Sequence, residues 1–191
     1  MSSGNVETEV KIRVTDPVEL PERLGHVGFT LRAKRQFESN SLYDTADYKL
    51  RRSGTLLRLR QFGEQSVITW KGPSEQSPFK TRPELETLVD SLDTMRQIFE
   101  RLGYIQTFRY EKFRTEYVET GNPENGVLTI DETPIGTFLE LEGPGNWIGR
   151  SAQKLGFSEK DYILSSYGTL YQEDCERRGV QPTNMVFASH P

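Results

Sequence analysis

The chain has 191 residues, 34% hydrophobic and 27% charged, and its 24 Lys and Arg against 28 Asp and Glu leave a formal net charge of -4. That length suits one domain, ten Phe, eight Tyr and two Trp exclude wholesale disorder, and no apolar run approaches the ~20 residues of a membrane-spanning helix. One Cys excludes an internal disulfide framework and a Cys-based zinc site, and two His, one of them in the C-terminal tail, argue against serine–histidine–acid catalysis.

The opening MSSGNVETEVK lacks the basic-then-apolar order of a secretory signal, so a cytoplasmic protein is expected. From Val6 to Val14 the residues alternate as a strand. Asp16-Pro17 reads as the start of a short helix that Pro21 disturbs and Gly25 stops. Strands follow, separated by turn residues at Arg52-Ser53-Gly54, Gly63-Glu64, Gly72-Pro73 and Thr120-Gly121-Asn122-Pro123. One helix interrupts them: Leu92, Met95, Ile98, Phe99 and Leu102 keep helical spacing between Asp90-Ser91 and Gly103. Residues 147–156, 158–164 and 166–178 read as further helices. A single domain over 1–178 is expected, with 179–191 as a frayed tail. Many strands and few helices predict an α+β protein built on an antiparallel sheet or barrel.

The charges follow the strand period. Glu7, Glu9, Lys11 and Arg13 share one face of the first strand, opposite Val6, Val10, Ile12 and Val14. Arg58 and Arg60 oppose Leu57 and Leu59, and Lys71 shares a face with Val67 and Thr69. Arg82, Glu84 and Glu86 alternate with Pro83 and Leu85, and Lys112 and Arg114 flank Phe113. Asp131 lies opposite Ile130, and Glu140 and Glu142 oppose Leu139 and Leu141. Strand by strand this describes a solvated sheet face. Taken together, cations and carboxylates recur in doublets where solvated strands mix in Thr, Ser and Gln. A closed sheet would gather them in an interior. That interior must be wet, because burying an ion costs several kcal/mol even after relaxation. Converging guanidinium and ammonium groups suit a polyanion, and clustered carboxylates suit a hard divalent cation such as Mg²⁺ or Mn²⁺. The combination points to chemistry on a phosphate chain.

These motifs resemble the CYTH superfamily of triphosphate tunnel metalloenzymes. Glu7-Thr8-Glu9-Val10-Lys11 is similar to its E-x-E-x-K signature. The ordered series continues through LYDT (Leu42 to Thr45), LRLR (Leu57 to Arg60), TWKGP with Lys71, then Arg82, Glu84 and Glu86. Lys112 and Arg114, Asp131, and IGTFLELEG (Ile135 to Gly143) complete it. The resemblance implies an eight-stranded antiparallel tunnel closed by C-terminal helical structure. It implies that Lys11, Arg58, Arg60, Lys71, Arg82, Lys112 and Arg114 grip a triphosphate. Glu7, Glu9, Asp131, Glu140 and Glu142, with Glu84 and Glu86, would hold one or two ions of Mg²⁺ or Mn²⁺. Lys11 is a candidate both for proton removal and for a phosphate contact.

Two departures bear on the substrate. Asn40 stands where family members often carry an acid, and Ser165-Ser166-Tyr167-Gly168 replaces the late Lys of tunnel hydrolases, resembling the ending of the cyclase branch. The expected activity is metal-dependent hydrolysis of tripolyphosphate or an organic triphosphate such as thiamine triphosphate. Its alternatives are a class IV adenylyl cyclase acting on ATP and a non-catalytic polyphosphate-binding module. The expected partner is a small-molecule triphosphate, with neither nucleic acid nor membrane, and a homodimer is compatible with the apolar outer faces. Arg32 to Arg35 reads as a solvated strand, Trp70 and Tyr43 as packing, Tyr167 as a helix–sheet contact, and Cys175 as inert.

Overall fold

The computed structural model describes residues 5–75 and 78–188. Eight strands pair antiparallel: β1 (Asn5–Val14), β2 (Phe29–Thr45), β3 (Leu56–Phe62), β4 (Gln65–Lys71), β5 (Lys80–Leu88), β6 (Tyr104–Glu119), β7 (Val127–Thr133) and β8 (Gly136–Glu142). They close into a barrel in the order β1-β5-β4-β3-β2-β6-β7-β8. Around it lie α1 (Leu20–His26), α2 (Lys49–Arg52), α3 (Leu92–Arg101), α4 (Gly145–Lys154) and α5 (Tyr167–Arg178). Closure leaves no unpaired sheet edge among the described residues, and the α+β tunnel expected of the charge pattern is what forms.

The register sorts side chains by chemistry. Lys11 faces Glu140 across β1 and β8, Arg114 faces Asp131 across β6 and β7, and Lys71 faces Glu84 across β4 and β5. Residues opposed across a ladder point to the same side, so the charged positions converge inside. The alternate positions turn outward into two apolar clusters. Val10, Ile12, Leu128, Ile130, Leu139 and Leu141 pack under α1 and α4 with Leu24 and Trp147. Tyr43 and Leu59 pack with Phe99 of α3. Trp147 lies so close to the backbone of Gly126 that a Cβ there would come within 2.6 Å of its ring. A third cluster, built from Tyr110, Phe138, Tyr167, Leu170, Tyr171, Cys175 and Met185, seats α5 against one end of the barrel.

Several boundaries differ from the sequence expectation. Asp16 accepts from the Val18 backbone N–H at 3.3 Å in a local turn, and the helix starts at Leu20 with Pro21 in its first turn, where a missing N–H costs nothing. The helix expected over 158–164 shortens to a 3-10 turn at Glu159–Asp161, closed by a Ser158–Asp161 capping box. The chain then extends, and Ile163 exchanges backbone hydrogen bonds of 2.8 and 3.1 Å with Lys11. The turn expected at Arg52 is preceded by α2, whose Leu50 and Arg51 N–H groups donate to the Asp44 carboxylate at 2.8 and 2.9 Å.

The fraying expected past Arg178 does not describe the tail as far as residue 188. Met185 is fully buried and its backbone bonds Arg109 and Glu111 at 3.0 and 2.9 Å. The Phe187 ring lies 5.3 Å from that of Phe113. Two apolar side chains after a polar stretch are enough to dock it. Among the described residues, no helix is long and apolar enough to cross a membrane.

Candidate functional site

The barrel encloses a cavity of about 650 Å³, a volume typical of small-molecule sites. Every residue expected to grip phosphate or metal lines it except Asp131, which lies fully buried just behind the wall. An eight-stranded barrel is usually just wide enough to be filled by its own side chains. Here the inward side chains are long and charged and hold each other apart along the wall.

Two networks divide the cavity. Near the start of β1, Lys71 Nζ donates to Glu7 at 2.5 Å and pairs with Glu84 at 3.2 Å, and Arg82 Nε donates to Glu7 at 3.2 Å. Lys80 and Lys11 share Glu9 at 2.6 and 3.2 Å. Arg60 pairs with Glu86 at 3.0 Å, and Arg58 donates to Thr69 at 3.2 Å. Glu142 of β8 faces Glu9 across the ladder beside this network, reached by water yet crowded by the barrel wall. Desolvation, then the negative charges of Glu7 and Glu9, push its carboxyl up to about 7. Glu84 is also raised, by desolvation and by Glu7, against the pull of Lys71.

On the β2-β6-β7-β8 side, to which Tyr167 of α5 reaches, the balance reverses. Asp131 accepts from Lys112 at 2.8 Å, from Arg114 in bidentate fashion at 2.7 Å, and from the Tyr167 hydroxyl at 2.8 Å. Burial opposes ionisation there, but Arg114 and Lys112 outweigh it and hold Asp131 well below its ordinary value. Glu140 takes Lys11 at 2.9 Å and also Arg114. Glu38 stands near Lys112 at 3.5 Å. Burial alone would raise both acids. The neighbouring cations instead pull each down to about 2, Lys112 and Arg114 acting on both, Lys11 on Glu140 and Arg60 and Arg58 on Glu38.

Lys11 is caught between these networks. Desolvation pulls it down, yet Glu140 and Glu9 prevail and hold it above its ordinary value. A lysine held protonated by Glu140 and Glu9 is suited to a phosphate contact more than to proton removal. Asp131, expected as a metal ligand, already accepts four hydrogen bonds, about the capacity of a carboxylate. In this arrangement it holds Lys112 and Arg114 in place.

The sequence reading missed several wall residues. Lys80 continues the alternation of Arg82 and Glu84 by one step and could have been read from it. Glu38, buried behind the wall beside Lys112, could not, because bulges in β2 between Leu31 and Gln36 reset its facing. Asn40 donates to Glu38 at 2.9 Å, so the acid absent from position 40 is supplied two residues earlier. Tyr167 is more than a packing contact, with its ring centroid 5.2 Å from Lys11 Nζ and 5.3 Å from Lys112 Nζ. Arg32 reaches the cavity, whereas Arg35 stays outside on Glu132 at 2.7 Å. Tyr43, Cys175 and Lys154, which pairs with Glu119 at 2.7 Å, stay out of the cavity lining.

A divalent cation fits the carboxylates around Glu142 better than the network around Asp131. Among the described residues no three acidic, His or Cys side chains form a ready-made metal cage. The donors are nonetheless hard oxygens, and the raised Glu142 marks an excess of negative charge that a cation would relieve. Anion-binding capacity is also left over: buried Arg58 Nε and Arg60 Nε have no hydrogen-bond partner among the described residues.

Comparison with known proteins agrees with this geometry. A family model described as the CYTH domain matches residues 5–167. A Methanocaldococcus jannaschii protein named "Putative adenylate cyclase" is 31% identical over 138 residues, covering 72% of this chain and 76% of that protein. A Vibrio parahaemolyticus structure of the same description superposes with a TM-score of 0.76 at 22% identity, covering 88% of this chain and 98% of that one. A Hippeastrum structure, HpAC1, described as a "putative adenylyl cyclase" with a dominant triphosphatase activity, superposes with a TM-score of 0.63 at 18% identity over 92% and 97% of the two chains. At those identities the two structures speak for the fold.

Proposed function

The chain belongs to the CYTH domain family, and from that premise we propose that it is a metal-dependent enzyme that grips a triphosphate in its tunnel and hydrolyses it. The observation that carries this reading is one wet wall bearing Lys11, Arg58, Arg60, Lys71, Arg82, Lys112 and Arg114 interleaved with carboxylates. Binding an anion alone would not call for so many acids.

In this reading Arg58, Arg60 and Arg82 take phosphate oxygens in fork geometry, which matches their planar donors. Lys11 and Lys112, held protonated and in place by Glu140, Glu9 and Asp131, stabilise charge that develops on the phosphoryl oxygens. Glu7, Glu9 and Glu142 would hold Mg²⁺ or Mn²⁺, with Glu84 and Glu140 beside them. When bound, such an ion supplies Lewis-acid stabilisation of phosphate oxygens and a more acidic water. Incoming phosphate displaces carboxylates from the wall cations, and those freed carboxylates become available to the metal, so the two ligands assist one another.

The second reading is an adenylyl cyclase, favoured by the 31% identical relative and by Ser166-Tyr167 at the start of α5. There the 3′-hydroxyl of ATP would attack the α-phosphorus in the same tunnel. One assay separates the readings: tripolyphosphate, thiamine triphosphate and ATP are each supplied with Mg²⁺ or Mn²⁺, and phosphate and cyclic AMP are both measured. Phosphate release is expected. Cyclic AMP without phosphate release would replace hydrolysis with cyclisation, and tight binding without any product would leave a polyphosphate-binding module.

A further inference from the structure

Glu38 is a buried acid that the proposed chemistry does not use. It is 1% exposed and lies outside the cavity lining, so a ligand in the tunnel does not touch it. Its register places it beside Lys112 of β6, and Asn40, two residues on, lies between Tyr110 of β6 and Arg60 of β3. We propose that Glu38 is a fixed counter-anion that sets how tightly the tunnel holds polyphosphate, keeping the affinity for the anionic product low enough for release. The proposal rests on the triphosphate reading of the tunnel and adds the control of affinity at that site.

Three observations carry it. The first is how Glu38 meets the cations. Its oxygens stand 3.5 Å from Lys112 Nζ and 4.0 Å from Arg114 Nε, beyond the roughly 2.7–3.2 Å of an N–H···O hydrogen bond. Its charge also reaches Arg60 and Arg58. It therefore lowers the positive potential of four phosphate-gripping cations and leaves their N–H donors free. Asp131 does the reverse, accepting hydrogen bonds from Lys112 and Arg114.

The second is that the cations keep their places without Glu38. Asp131 fixes Lys112 and Arg114, Thr69 and Tyr110 take Arg58 at 3.2 and 3.4 Å, and Arg60 rests on Glu86 at 3.0 Å. One Glu38 oxygen accepts from Asn40 at 2.9 Å, and the other has no hydrogen-bond partner among the described residues. A buried, unpartnered carboxylate oxygen is costly. Burial opposes ionisation, yet Lys112 and Arg114 hold the group down to about 2. An amide would meet the same Asn40 hydrogen bond at less cost, so what Glu38 supplies is its charge.

The third is permanence. Glu7, Glu9 and Glu140 pair with cations at the cavity surface, where phosphate or a metal ion would part them. Glu38 is sealed behind the wall, so its compensation persists while an anion is bound. Cations that grip substrate, transition state and product alike tighten binding without raising turnover. A permanent counter-charge limits that grip.

The test uses two variants. Glu38→Gln keeps the shape of the side chain and the acceptor for Asn40 but removes the charge. Glu38→Gln/Asn40→Asp returns a charge two residues along the same strand face. Tripolyphosphate and pyrophosphate binding are measured by calorimetry in EDTA, and tripolyphosphate turnover with Mg²⁺. Glu38→Gln should bind both anions about tenfold more tightly, the scale of one unit charge acting over several Å. Its kcat and KM should fall together, as release from a tighter complex slows. The double variant should return both affinities towards those of the natural chain. A residue that only held the cations in place would give the opposite sign. Equal or weaker binding by Glu38→Gln, or an unchanged kcat alongside tighter binding, would overturn the proposal and leave the tunnel reading intact. If Glu38→Gln does not fold alone, melting is repeated with tripolyphosphate: recovery of a cooperative transition supports the exchange of one negative charge for another, and no recovery overturns it. A natural chain that binds neither anion would overturn both readings.

Discussion

The two halves of the tunnel wall, β2-β6-β7-β8 and β1-β5-β4-β3, use the same residue types to opposite effect. In the first half the cations outweigh burial: Asp131 accepts from Lys112, Arg114 and Tyr167, and Glu140 and Glu38 are held down to about 2 by the cations around them, although Glu38 Oε2 has no hydrogen-bond partner among the described residues. In the second half, and at Glu142 where β8 meets β1, carboxylates crowd one another, and Glu142 is pushed up to about 7 by burial and by Glu7 and Glu9. The first half is therefore largely compensated as folded, whereas the carboxylates around Glu142 leave an excess of negative charge.

Four measurements can break that contrast. The largest effect is expected in acid. Glu38 and Glu140 ionise more easily folded than unfolded, so they contribute stability above their ordinary value of 4.5 that is lost as pH falls towards about 2. Urea unfolding of the metal-free protein should show several kcal/mol lost over that window, and a flat profile would contradict the matched network. Next, Asp131→Ala strands Lys112 and Arg114 in a buried site and should cost about 3–5 kcal/mol, read from the urea midpoint. Third, Tyr167→Phe removes one hydrogen bond to a charged acceptor while Asp131 keeps its cations, so about 1–2 kcal/mol is expected from thermal unfolding.

The smallest effect has the opposite sign. Glu142 ionises less easily folded than unfolded, so its favourable contribution is present below 4.5 and lost as pH rises through about 7. Glu142→Gln should remove that loss, leaving the metal-free variant more stable than the natural chain at pH 8 by under about 1 kcal/mol once solvent screening is allowed for. The same substitution should abolish the rise in melting temperature that millimolar Mg²⁺ gives the natural chain, since a ligand stabilises only what it binds. An unchanged Mg²⁺ response would remove Glu142 from the cation site.

Much of this was legible in the chain. Alternation alone placed Glu7, Glu9 and Lys11 opposite Val10 and Ile12, and Arg58 and Arg60 opposite Leu57 and Leu59, because side chains on a strand change face at every step. Helix α3 was legible from its cap and spacing, and Ser91 does accept from Thr94 N–H. The net charge of -4 was a poor guide, since it averages over two faces of opposite chemistry. Glu38 was hidden because the β2 bulges break the period on which the reading relied, and α2 because the carboxylate that caps it, Asp44, lies five residues before its first residue, Lys49.

What the sequence by itself determined is the sorting of charge from hydrocarbon, and with it a wet, closed sheet able to hold a polyanion, because strand periodicity is a local property. Which charges face one another was decided by the tertiary structure. Barrel register sets Lys11 against Glu140 and Arg114 against Asp131, and the seating of α5 brings Tyr167 to Asp131. Coulomb and hydrogen-bond energies depend on distances across strands far apart in the chain, and those distances exist only once the barrel is closed.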